Sequence, residues 1–324
     1  IIVPMSFPND LAQLLAQIGG GFVSVSHWAL YLLMFLVPVF FLPWTTSILD
    51  LNKQMLLVIL TVVALVAWLG TMVVEKRLSF RAGWLNLLPG LFLVSVLVSS
   101  IFSLAGYQTL VGQASQEYVS FLSTVMFVIL FYVFMNVASG TDVQRNLITA
   151  LLLSATLSGI LAVLGALNLF HLPFDFAASS GFNTVGTMNG MSTFLSVVMF
   201  MGLALWLVSN GKDRLLPEGK IGTFMRVLIV LVTVSNLVIT IAIDYWVFWV
   251  LNIVGVLLLA AFVFIQSAEF PDPKRFMLPM LVLLVSILLM FLPSPLRLGL
   301  PVVISPSYST SFSIAKQALS QSPL

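Results

Sequence analysis

The 324 residues are 60% hydrophobic and only 7% charged, with a mean hydropathy of +1.14. A water-soluble domain keeps roughly a quarter of its residues charged, so the composition excludes one and predicts an all-α, polytopic transmembrane helix bundle. The net charge of +2 is too small to point to nucleic acid, and the absence of cysteine excludes a disulfide framework and thiolate metal sites within these residues.

Taken in chain order, residues 1–25 read as an N-terminal interfacial segment, with a short helix at Leu11–Leu15 followed by Gly19, Gly20 and Gly21. The chain begins at Ile1 rather than Met, and Met5 is a candidate initiator. No basic run followed by a small-residue cleavage site marks a signal peptide. Residues 26–292 hold nine apolar segments at about 26–43, 54–74, 84–104, 119–137, 146–169, 190–208, 224–243, 245–265 and 277–292. Each approaches the roughly 20 residues that cross hydrocarbon, and internal hydrogen bonding makes them helices. The run 224–265 is too long for one span, and Asp244 and Tyr245 predict a hairpin near its middle. Residues 293–324 then open a polar extracytoplasmic segment, which the chain leaves incomplete at Leu324.

Basic residues set the expected orientation. Lys76, Arg77, Arg81, Arg145, Lys212, Arg214, Lys220, Arg226, Lys274 and Arg275 all fall in even-numbered loops, against Lys53 alone in the odd ones. Cytoplasmic loops retain Lys and Arg, which places the N-terminus in the cytoplasm and residues 293–324 outside. Trp28, Trp44, Trp84, Trp206 and Trp246 lie near predicted helix ends, the depth of lipid headgroups.

All acidic residues lie in termini, loops or helix ends, which disfavours an ion-coupled carrier, since such proteins place ionisable groups at mid-depth. Asn236 and Asn252 each stand eight residues from Asp244, on opposite arms of the hairpin. At 1.5 Å per residue both fall roughly 12 Å below the turn. Two readings are open: a hydrogen bond that glues the helices, or a polar contact to a substrate entering between them. The fifth loop carries His171, Asp175, Asn183 and the Gly186–Gly190 turn. His171 with Asp175 reads as an acid/base pair, or His171 is an amphipathic ring resting at the membrane interface. Two histidines with no metal-ligand spacing argue against a zinc site, and no cofactor is indicated. In the tail, Ser311–Gln321 has helical spacing, with Phe312, Ala315, Ala318 and Leu319 toward one face and Ser309 or Thr310 as cap. Arg297 and Lys316 are the tail's only cations, either solvated or placed to meet the phosphates of an anionic lipid carrier.

The tail from Thr310 to Leu324 resembles the opening of the large outer loop of O-antigen ligases and polymerases. In that superfamily an aromatic, two alanines and a Pro-Leu pair lead into a Gly-rich turn. Phe312, Ala315, Ala318, Pro323 and Leu324 stand in those places. The Ile243–Trp246 hairpin, the Gly186–Gly190 turn and a loop after the ninth helix are similar as well. The resemblance implies an enzyme of the plasma (inner) membrane. It would move a glycan from a polyprenyl diphosphate carrier to a lipid or glycan acceptor on the outer face, without metal. It also implies a loop histidine as base, beyond Leu324, and arginines on the diphosphate. Arg297 and Lys316 are the substrate-binding candidates here, and no catalytic residue is assigned. Where many relatives carry an arginine about one turn before the aromatic, this chain has Tyr308. A multi-pass transporter or lipid-linked glycan flippase, and a membrane scaffold with a binding loop, are the alternatives.

Overall fold

The computed structural model describes residues 9–45, 47–78, 80–81, 83–103, 105–112, 120–208, 215–266, 273–292 and 308–321. Eleven α-helices dominate it, joined by turns and short 3-10 segments, with no strand among the described residues. They are α1 (Asn9–Val39), α2 (Asp50–Glu75), α3 (Leu87–Ile101), α4 (Gly106–Val111), α5 (Phe121–Val137) and α6 (Thr141–Ala166). After these come α7 (Met188–Val208), α8 (Lys220–Ile243), α9 (Trp246–Gln266), α10 (Met277–Phe291) and α11 (Tyr308–Gln321).

Seven of these regions are long and apolar enough to cross a bilayer: Gln17–Val39 of α1, then α2, α6, α7 and α8, Trp246–Ile265 of α9, and Pro273–Phe291. Two expected spans are shorter. α3 and α5 hold 15 and 17 residues, about 23 and 26 Å of helix against a hydrocarbon core of about 30 Å. At the N-terminus, residue 25 is no break in secondary structure, because α1 runs unbroken through it and through Gly19–Gly21. Trp28 is therefore exposed from within a helix rather than at its end, whereas Trp44, Trp84 and Trp246 are exposed at or beside element ends.

Two hydrophobic cores hold the bundle together. One joins α1, α2 and α5 through Ala29, Leu30, Ala64, Val133 and Val137. The other, larger, joins α6 to α10, with Leu152, Leu195, Met199, Ile229, Val256 and Val282 fully or almost fully buried. α1 against α6 links the two halves. Small residues set the closest approaches, as in membrane bundles where packing rather than water expulsion drives association. A Cβ on Gly159 of α6 would stand 2.9 Å from Ser235 Cβ on α8. The outward faces are the reverse of a soluble protein's, exposing Met55, Ile59, Val66 and Val73 on α2 and Leu257, Leu258 and Phe262 on α9. The molecule is a multi-pass membrane protein in its surface chemistry, with lipid the natural cover for those faces.

The predicted turn between α8 and α9 is present. Asp244 ends α8 in the left-handed conformation (φ 49°, ψ 45°), and α9 starts at Trp246. α7 packs along both arms. The predicted tail helix also forms, but it begins at Tyr308, so Ser309 and Thr310 lie in its first turn rather than capping it. Every described side chain of α11 is exposed.

Candidate functional site

Most of the basic residues gather at one end of the bundle, around the finish of α2 and the starts of α6 and α8. The opposite end contains Lys53, and the polar structure there is built from three consecutive residues at the top of α2. Successive helical residues point about 100° apart, so Asn52, Lys53 and Gln54 reach in three directions. Asn52 donates from Nδ2 to Thr45 Oγ1 (2.7 Å) and to the carbonyls of Ser47 and Ile48 (both 2.9 Å), closing the α1–α2 connection. Gln54 Nε2 donates to Ser123 Oγ at 2.6 Å, beside the Ser120 cap of α5. Lys53 is 7% exposed, and its ammonium donates to the carbonyls of Thr184 and of Val185 (3.1 Å) in the α6–α7 loop.

That loop is itself ordered by Asn183, which is buried. Its Oδ1 accepts from the amides of Val185 (3.1 Å) and Gly186 (2.9 Å), and its Nδ2 donates to the carbonyl of Gly186 (3.1 Å). This is the local Asx geometry that lets asparagine fix a turn. Gly186 sits at φ +140°, a backbone region that suits glycine. The turn presents its carbonyls to Lys53, so a chain reversal and a buried cation satisfy one another. Phe41, Phe176 and Phe182 pack edge to face beside it, with ring centroids 5.5 to 6.3 Å apart.

His171 joins Asn183 and Thr184 in lining a recess over this loop. Its enclosed space is about 10 Å³, the room of about one water molecule. A sugar does not fit inside it, so any larger ligand would lie across the surface. The hydroxyl of Thr184, which lines the recess, is buried without a hydrogen-bond partner, as is the side-chain oxygen of Asn189 at the start of α7. His171 makes no ion pair with Asp175. Among the described residues the one salt bridge is Arg145–Asp142, 3.0 Å, at the other end of the molecule. The acid/base pair read from His171 and Asp175 is thus not assembled in this conformation.

Asn236 and Asn252 do meet, as their register predicts. Both are fully buried, and Asn236 Nδ2 donates to Asn252 Oδ1 at 3.4 Å. Ser196 of α7 donates to Asn236 Oδ1 at 3.1 Å, making the contact a three-helix junction. The geometry favours the interhelical role. Of the tail candidates, Lys316 is exposed on α11, and Arg297 lies outside the described residues. Lys53 is the residue that sequence reasoning passed over. Its one signal was its place as the lone cation in the odd-numbered loops.

No family model, curated protein sequence or solved structure matches the chain.

Proposed function

We propose that the protein transfers a glycan from a polyprenyl diphosphate carrier to a lipid or glycan acceptor at the outer face of the plasma membrane, in the manner of O-antigen ligases and polymerases. In this reading nine helices cross the bilayer, the N-terminus is cytoplasmic, and the Lys53 end faces outward. Two ties support counting α5 as a crossing despite its length. Gln54 of α2 meets Ser123 at one end, and Phe80, after α2, stacks near Tyr132 (5.7 Å between centroids) toward the other. The observation that carries the proposal is the Asn52–Lys53–Gln54 cluster, whose hydrogen bonds hold two connections and the start of α5 as one fixed platform at the cation-poor end. A lipid-anchored donor keeps its tail in the bilayer and presents its headgroup to the loops that such a platform fixes.

In the proposed step an acceptor hydroxyl attacks the anomeric carbon. The bond from that carbon to the diphosphate oxygen breaks, the diphosphate leaves on its lipid, and the hydroxyl proton passes to a base. The departing charge calls for cations fixed in advance, and Arg297 and Lys316 are the proposed contacts. The full-length protein, reconstituted with a polyprenyl diphosphate oligosaccharide and an acceptor, should release polyprenyl diphosphate and yield glycosylated acceptor. Arg297→Ala should weaken donor use by about tenfold, the scale of one charge-assisted contact. Donor that crosses the bilayer with its glycan intact would make the protein a flippase instead.

A further inference from the structure

A cavity lies where the two hydrophobic cores meet, away from the Lys53 end. It encloses about 430 Å³, within the roughly 300–1,000 Å³ of sites that hold small molecules. Its walls come from four helices, with Met34 of α1, Phe134 of α5, Leu151 of α6 and Met201 of α7. Only two polar side chains line it, Arg81 and Gln144, and both are exposed at the basic end of the bundle. An apolar chamber with a cation at its mouth has the polarity of an anionic amphiphile turned inside out.

The arginine is held there by its backbone. Its amide donates to Asn136 Oδ1 at 2.8 Å, and its carbonyl accepts from Asn86 Nδ2. The Asn86 carbonyl in turn accepts from Tyr132 OH at 2.6 Å, while the neighbouring Phe80 ring lies between Trp68 and Tyr132. These bonds leave the guanidinium uncommitted to the fold, and it makes no ion pair among the described residues. Asp142, the acid nearest Gln144 in sequence, is neutralised by Arg145 at 3.0 Å. The mouth therefore carries net positive charge.

We propose that this cavity binds an anionic phospholipid of the leaflet at the basic end, with one acyl chain between the two cores and the headgroup phosphate on Arg81. Gln144 spends one amide hydrogen on the Ala138 carbonyl (3.3 Å) and offers the second to the headgroup. The planar guanidinium offers two parallel N–H donors to phosphate oxygens, and the half-exposed Met135 marks the side open to lipid. The site is independent of the glycan-transfer reading, since it uses neither the tail nor the Lys53 end.

The test uses the full chain purified in a neutral detergent, with native mass spectrometry counting phosphatidylglycerol or phosphatidylcholine retained per protein. One phosphatidylglycerol should be held at least about tenfold more tightly than phosphatidylcholine. Arg81→Gln should remove that preference without unfolding the protein, because glutamine keeps both backbone hydrogen bonds. Arg77→Gln, an exposed cation outside the cavity, should leave it intact. Met201→Trp, which fills the chamber, should reduce retention of both lipids. Equal retention of the two lipids by the unmodified protein would overturn the proposal. So would an Arg77→Gln effect equal to that of Arg81→Gln, since the attraction would then be diffuse. Retention only of a polyprenyl phosphate offered in the same assay would also overturn it.

Discussion

Lys53 is the basic side chain that stands against the distribution of all the others within the bundle, and it is also one that the fold buries. Its ammonium is committed to two carbonyls of a loop that begins more than a hundred residues later, the Thr184 partner being 131 positions away. Burying a cation is costly unless donors and acceptors are matched, and here the matching acceptors are backbone groups that the Asn183 turn aims at it. Replacing Lys53 by methionine keeps much of the stem's volume but leaves both carbonyls without their donor. The expected loss is about 1–3 kcal/mol of stability, felt first in the α6–α7 loop. Hydrogen exchange should rise at Val185 and Gly186 and stay unchanged at the middle of α8. Unchanged exchange in the loop would show that Asn183 holds the turn alone. This role was out of reach of the sequence, because a backbone carbonyl leaves no trace in residue identity. Asn236 and Asn252 were legible for the opposite reason: equal spacing from one turn, at a fixed rise per residue, puts both at one depth.

Among the elements, α8 is the axis of the larger half, with more than a dozen of its residues buried, whereas α10 buries only Pro279, Val282 and Ser286. It packs on α6 and on α7, and glycines admit it to both contacts. On the α6 side the limiting approach is Gly159 against Ser235, with Leu195 Cδ2 of α7 3.3 Å from the same point. Gly159→Val should therefore wedge three helices apart, at about 1–3 kcal/mol for an overpacked core. Thermal unfolding of the detergent-solubilised protein should report the loss, and Ser235→Gly in the same chain should recover part of it, because contacting sites do not add independently. Gly106→Val offers the control, since nothing stands within 4 Å of that position. A loss at Gly106 equal to that at Gly159 would remove the steric explanation. The existence of α8 was plain from its apolar run, and its C-terminus from Asp244. Its central position was not, because an apolar helix in lipid and an apolar helix in a core have the same composition. The start of α1 differs from its reading: the short helix at Leu11–Leu15 and the span from about residue 26 are one helix, which carries the three glycines through while packing on α2, where a Cβ on Gly19 would meet Val74 at 3.4 Å.

At the scale of the whole molecule the open quantity is the number of crossings, and it turns on α3 and α5. If both cross, the short helix α4 between them lies at the Lys53 end; if neither does, it lies at the basic end, while every other connection keeps its side. Tyr107 of α4 is 75% exposed and therefore reports the difference directly. The chain has no cysteine, so a single introduced thiol gives an unambiguous label. With nine crossings and the basic end in the cytoplasm, Tyr107→Cys should react with an impermeant maleimide on intact cells, and Arg77→Cys only after permeabilisation. Ser179→Cys, in the α6–α7 loop, should react from outside under either count and so fixes the orientation by itself. Reaction of Ser179→Cys from outside with Tyr107→Cys protected would leave the seven long helices as the membrane domain. α3 and α5 would then have to bury their apolar sides at the interface. Gln54 of α2 meets Ser123 of α5, and Trp68 of α2 reaches Tyr132 of α5 through the Phe80 ring, which argues for the larger number. A helix lying in the membrane plane would not stay level with two points on α2 about 21 Å apart along its axis.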